Sequence, residues 1–187
     1  GTIVDSTIIS APSSTKNKEK KRDPDAHQVK KSNTWHFGYK AHIGVDRDSG
    51  LVHTVEATAA NVHDATETSK LLTGDEDEVY GDSGYLGAEK RGDAIIRNKA
   101  GRKIKYRINR RPSQVKKLSK SGQYAAKKAE HTKSSVRAKV EHAFGVVKKQ
   151  LRFRKTRYRG LEKQRAKFNI MFALANLILA DRSCLAA

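Results

Sequence analysis

Three carboxylates stand apart from the other acids of this chain because of where their neighbours place them. Asp5 interrupts Thr2–Ile9 (Thr-Ile-Val-Asp-Ser-Thr-Ile-Ile), a run β-branched on both faces and so suited to a strand buried on both sides. Asp82 falls in Val79-Tyr-Gly-Asp-Ser-Gly-Tyr85, where a short strand should end in a glycine-permitted turn. The C-terminal end of a strand is where open α/β sheets present functional groups. Glu141 is the only acid between Glu130 and Glu162, in a region crowded with Lys and Arg. Two strands and a helix can bring three carboxylates to one sheet edge. Hard oxygen ligands of that kind suit Mg²⁺ or Mn²⁺, which keep waters and bind substrate phosphates. Two such ions roughly 3.5–4 Å apart would activate an attacking oxygen and stabilise a leaving one in phosphodiester chemistry. Each acid also has a plainer use. Ser6 or Thr7 could satisfy Asp5, Asp82 could simply form a turn, and Glu141 could pair with Arg137 for roughly 0.3–0.5 kcal/mol.

The elements that must position these groups are readable in outline. Ser134–Leu151 as a helix aligns Val136, Val140, Phe144, Val147 and Leu151 on one apolar face, with Arg137, Glu141 and Lys148 along a second stripe. His36–Asp46 alternates, with Phe37, Tyr39, Ala41, Ile43 and Val45 on one side and His36, Lys40 and His42 on the other. Asp46–Gly50 has turn chemistry, so Leu51–Thr58 should return as a hairpin strand. Lys40 and His42 would be exposed, and could reach phosphate. Asp64 with Glu67 reads as a capping box opening a helix through Leu71 and Leu72. Ala88–Lys99 looks helical, Lys103–Asn109 reads as a strand, and Lys167–Asp181 as an apolar helix that closes the core. Arg111–Lys133, weakly patterned, reads as a loop. Pro12–Asn33, polar and lysine-rich, reads as a flexible basic loop.

The chain of 187 residues carries a net charge of +19, and residues 101–165 hold 23 of its 39 Lys and Arg against three acids. A basic half of this kind suits a polyanionic partner with a phosphate backbone. Arg152-Phe-Arg-Lys-Thr-Arg-Tyr-Arg159 interleaves cations with aromatics, so Arg154 and Arg157 are candidate phosphate contacts. A single cysteine, Cys184, excludes an internal disulfide, and His36, His42, His53 and His63 lack zinc-ligand spacing. The apolar run Phe168–Ala180 is too short to span a bilayer. A soluble, intracellular protein is expected. Because Gly1 already stands in a strand, an upstream region is expected too.

Taken together, these motifs resemble the catalytic domain of the DDE transposases of bacterial insertion sequences, in the Y-R-E-K signature group (the insertion-sequence five family and its relatives). Asp5-Ser6-Thr7 matches the first Asp motif, Gly81-Asp82-Ser83-Gly84-Tyr85 the second, and Arg137-x₃-Glu141-x₆-Lys148 the third. Trp35-His-Phe-Gly-Tyr-Lys40 and Asn61-Val-His-Asp64 also match. Ser134 stands where the signature has Tyr. The resemblance implies an α/β, ribonuclease H-like mixed sheet flanked by helices. It implies that Asp5, Asp82 and Glu141 hold two Mg²⁺ or Mn²⁺ ions, and that Arg137 and Lys148 contact phosphate. Donor-strand cleavage and strand transfer on double-stranded DNA, by a homodimer in the bacterial cytoplasm at the nucleoid, would follow. The upstream region would carry end recognition. The alternatives are a catalytically inactive transposase fragment and a non-enzymatic basic nucleic-acid-binding domain.

Overall fold

The computed structural model describes residues 1–12, 23–31 and 33–185, with the side chains of residues 182–185 left aside. Strand β1 (Thr2–Ser10) runs through the middle of the sheet. Its antiparallel neighbour is β3 (Thr34–Asp46), paired from Thr2↔Asp46 to Ser10↔Gly38. β4 (Val52–Ala59) lies on the far side of β3, and β2 (His27–Lys31) pairs with the first half of β3. On the other flank, β5 (Glu78–Gly81) and β6 (Lys105–Ile108) are both parallel additions. Mixed parallel and antiparallel pairing around a central first strand is the sheet of a ribonuclease H-like fold, as expected.

The alternation of β1 and β3 feeds two cores. Ile3, Ile9, Tyr39, Ala41, Ile43 and Val45 face the long helices α2 (Lys120–Gly145) and α3 (Leu161–Leu185). Phe144 of α2 meets Phe172 of α3 edge-on, their ring centroids 6.1 Å apart. Asn176 fastens α3 to the outer strand by bonding both the amide and the carbonyl of Val52, at 2.8 and 2.7 Å. Val4, Val79 and Tyr85 pack with Leu71, Leu72, Ile104 and Ile108 on the opposite face, which short 3₁₀ turns cover. No helix among the described residues is long and apolar enough to cross a membrane.

Four expectations are corrected. Arg111–Lys133 is largely helical: α1 (Pro112–Lys116) precedes α2, which starts at Lys120 behind a Ser119 cap. The first turns of α2 are mostly exposed, so Ala, Lys and Gln hold them as good helix formers without an apolar stripe to announce them. Asp64 does not cap a helix. His63 is the cap of a 3₁₀ turn at Asp64–Thr66, a second turn spans Thr68–Leu71, and the Asp64 carboxylate is drawn away to Lys40 and Ser6. Ala88–Lys99 yields only a 3₁₀ turn at Ala88–Lys90, since Gly92 follows and Asp93 turns back to bond Arg91 and Ser69. Within the tract read as a flexible loop, His27–Lys31 is a strand and Asp23 accepts the Tyr39 hydroxyl at 2.6 Å. Residues 13–22 and 32 of that tract lie outside the described residues.

Candidate active site

Register brings the first two carboxylates together. β1 and β5 pair as Thr2↔Val79 and Ile3↔Tyr80, and the same offset carried forward sets Asp5 opposite Asp82. Asp5 shares the sheet face of Ile3, toward α2, where Arg137 Nη2 donates to its Oδ2 at 3.2 Å. The Ser6 amide donates to Asp5 Oδ1 at 2.7 Å, and the Gly84 amide to Asp82 Oδ1 at 2.7 Å. The plainer uses of Asp5 and Asp82 are therefore present as well, since local backbone amides satisfy both. The plainer use of Glu141 is not: Arg137 turns to Asp5, and Glu141 stands exposed on its helix.

Burial raises the Asp5 carboxyl to about 6; the Ser6 amide and Arg137 pull it down, and the nearby charge of Asp82 pushes it further up. One cavity of about 400 Å³ is lined by Asp5, Asp82 and Glu141 together with Arg137, Lys148 and Lys149. Lys31, on the β2 strand that sequence reading missed, lines it too. Lys148 lies beyond the end of α2, in a wider π turn spanning Val146–Gln150 and closed by Leu151 N–H donating to the Val146 carbonyl. Such turns occur frequently at functional sites. Its ammonium is held below the usual lysine range by burial and by the charges of Lys31 and Arg154, against the pull of Glu141. Cations that repel one another at a cavity mouth are relieved by an anion bound between them.

The other candidate DNA contacts lie elsewhere. Arg154 donates to the Lys148 carbonyl at 3.0 Å, and with Arg157 it lines a second groove formed by residues 151–158, Pro12 and α3. Lys40 does not face solvent: it is buried, donating to Asp64 Oδ1 at 2.9 Å and the Val62 carbonyl at 2.7 Å. His42 is buried beside it. Ser134 opens onto a groove that also takes in Asp82 and Arg137, and accepts from Asn109 Nδ2 at 3.3 Å.

Among the described residues, no three His, Cys, Asp or Glu side chains stand close enough to share an ion. The donors still suit a hard cation. Two carboxylates, one on β1 and one just past the end of β5, both open to one cavity, match Mg²⁺, which takes one or two carboxylates and completes its shell with water and substrate phosphate. A family model described as transposase DDE domain matches residues 1–177. The chain belongs to the transposase DDE domain family. As a DDE transposase domain it has a role in transposition, with DNA as the partner its family implies. No solved structure gives a significant match to it.

Proposed function

We propose that this DDE transposase domain cleaves the donor strand at an element end and transfers the freed 3′-hydroxyl to target DNA, acting as a homodimer on double-stranded DNA. The observation that carries this reading is the single cavity shared by Asp5, Asp82, Glu141, Arg137 and Lys148. Asp5 and Asp82 would hold divalent Mg²⁺ or Mn²⁺, with Glu141 at the rim as the third ligand of a two-ion site. Bound there, the metal supplies activation of the attacking oxygen and stabilisation of the leaving one. Arg137 neutralises Asp5 and, standing at the same cavity, can turn a guanidinium edge to the scissile phosphate. Lys148, flanked by Lys31 and Arg154, binds the phosphate backbone, and that contact relieves the repulsion among the three cations.

Nicking of supercoiled plasmid with Mn²⁺, wild type beside Glu141→Gln, is the test. Metal-dependent nicking should fall about a hundredfold in the variant, the scale of losing one electrostatic contact to a transition state. Equal nicking by both proteins would remove Glu141 from the site. Arg154 and Arg157 make a separate expectation. Replacing both by Ala should weaken DNA binding across sequences and flatten the dependence of log affinity on log salt by about one for each phosphate no longer neutralised. An unchanged salt slope would place the DNA away from this loop.

A further inference from the structure

The two catalytic strands are not locked together where it matters. The β1–β5 pairing covers Thr2↔Val79 and Ile3↔Tyr80 and stops short of Asp5 and Asp82, two like charges that repel. Something else must hold their spacing.

Behind them, on the sheet face away from α2, lies a polar cluster in which Lys40 and His42 are buried and Ser6 and Asp64 half-buried. Ser6, the residue after Asp5, donates through Oγ to Asp64 Oδ1 at 2.9 Å. Lys40 Nζ donates to the same oxygen at 2.9 Å and is itself fixed by the Val62 carbonyl. Burial alone would raise the Asp64 carboxyl; the Lys40 hydrogen bond and charge, with Ser6, hold it below the usual range. His42 Nδ1 stands 3.8 Å from Asp64, and its Nε2 is 2.8 Å from Thr58 Oγ1. Burial pushes that imidazole down to about 4, so it is neutral and Lys40 is the cation that balances Asp64. Asp64 also lies near the Ser83–Tyr85 turn that follows the second strand. A Cβ built at Gly84 would lie 3.8 Å from Asp64 Oδ2 and 2.9 Å from Asp82 Oδ1, the oxygen that the Gly84 amide holds. Tyr85, fully buried next to this glycine, feels the charges of Asp5, Asp64 and Asp82 together, and its hydroxyl has no hydrogen-bond partner among the described residues.

We propose that Asp64 is a positioning residue: anchored by Lys40, it ties down Ser6 behind Asp5 and stands beside the Gly84 turn behind Asp82, and so sets the spacing of the two carboxylates. This rests on the reading that Asp5 and Asp82 hold the metal. Groups that orient ligands without touching the ion typically change metal affinity by about 10- to 100-fold when removed. Lys40 and Asp64 should be removed as a pair, because Lys40 left alone is an uncompensated buried charge and Asp64 left alone a half-buried one.

Mn²⁺ binding, followed by the electron paramagnetic resonance signal of the free ion, tests this on wild type, Asp82→Asn, Lys40→Met/Asp64→Leu and Ser6→Ala, with thermal unfolding and the Mn²⁺ dependence of nicking alongside. The double variant should fold, bind Mn²⁺ about 10- to 100-fold more weakly and need correspondingly more Mn²⁺ for half-maximal nicking, with a smaller change in the maximal rate. A double variant with wild-type Mn²⁺ affinity would overturn the proposal and leave Asp64 a structural residue. If the double variant does not fold, Ser6→Ala decides, weakened affinity supporting the bracket and unchanged affinity overturning it. Wild type binding no better than Asp82→Asn would instead overturn the metal-site reading itself, and the inference with it.

Discussion

Asp5→Asn should give a protein that is more stable than wild type and inactive. The carboxyl is raised from 3.8 to about 6, chiefly by burial, so the folded protein holds this proton more tightly than the unfolded chain does. Stability contributed by the group is therefore present below pH 4 and lost as pH rises through about 6. At neutral pH the ionised carboxylate costs about 3 kcal/mol. Asn keeps an acceptor for the Ser6 amide and gives up the pair with Arg137, which reduces the net gain to about 1–3 kcal/mol, a Tm rise of roughly 3–10 °C. At pH 4 the two proteins should melt together, because wild-type Asp5 is then neutral. On the proposed two-ion reading, nicking should drop on the order of 10³-fold, since this residue lines the cavity with Asp82 and would carry more of the ion than the rim residue Glu141. Added Mn²⁺ should raise the Tm of wild type and leave Asp5→Asn unmoved, as a ligand stabilises only the state that binds it. Thermal melts at pH 4 and 7.5, with and without Mn²⁺, check all of this. A variant less stable than wild type at pH 7.5 would mean that the Arg137 pair outweighs burial.

That carboxylate was legible in the sequence because it breaks an apolar pattern. An Asp in a β-branched run must be compensated, and Asp82 at a strand end and Glu141 alone among cations carry the same signal. The cavity shared by the three follows from topology, which the order of strands and helices already implied. Other features left no such mark. Lys40 and His42 occupy the polar register of β3, and alternation alone places them in solvent. They are buried because the 3₁₀ turns carrying Asp64 close over that face, an arrangement set by contacts 22 to 24 residues away in sequence. Asp64 and Glu67 have the spacing of a capping box, but Lys40 offers Asp64 a full charge where a helix end would offer only backbone amides. The early turns of α2 are helical through propensity rather than periodicity, so a search for an apolar stripe starts the helix too late.

Phe172→Ala should cost about 3–5 kcal/mol, the usual range for deleting a buried aromatic ring. Phe172 is fully buried between the sheet and α2, and its ring is the partner that Phe144 meets edge-on. Phe144 in turn lies one helical turn beyond Glu141, so this contact seats the segment of α2 that delivers both Arg137 and Glu141 to the cavity. The loss should appear as a lower denaturation midpoint with little change in slope, and as a Tm roughly 10 °C lower. At temperatures where the variant is still folded, nicking should persist at a reduced rate, because no group that touches phosphate or metal has been removed. The control is Leu177→Ala on the same helix. Leu177 points outward with Ile170 and Leu174, all three exposed, and its truncation should stay within about 0.5 kcal/mol of wild type. A cost at Leu177 as large as at Phe172 could not come from its contacts among the described residues. It would mean that something beyond the described residues covers the outer stripe of α3 in solution, and a sedimentation measurement would show whether that is a second copy of the chain.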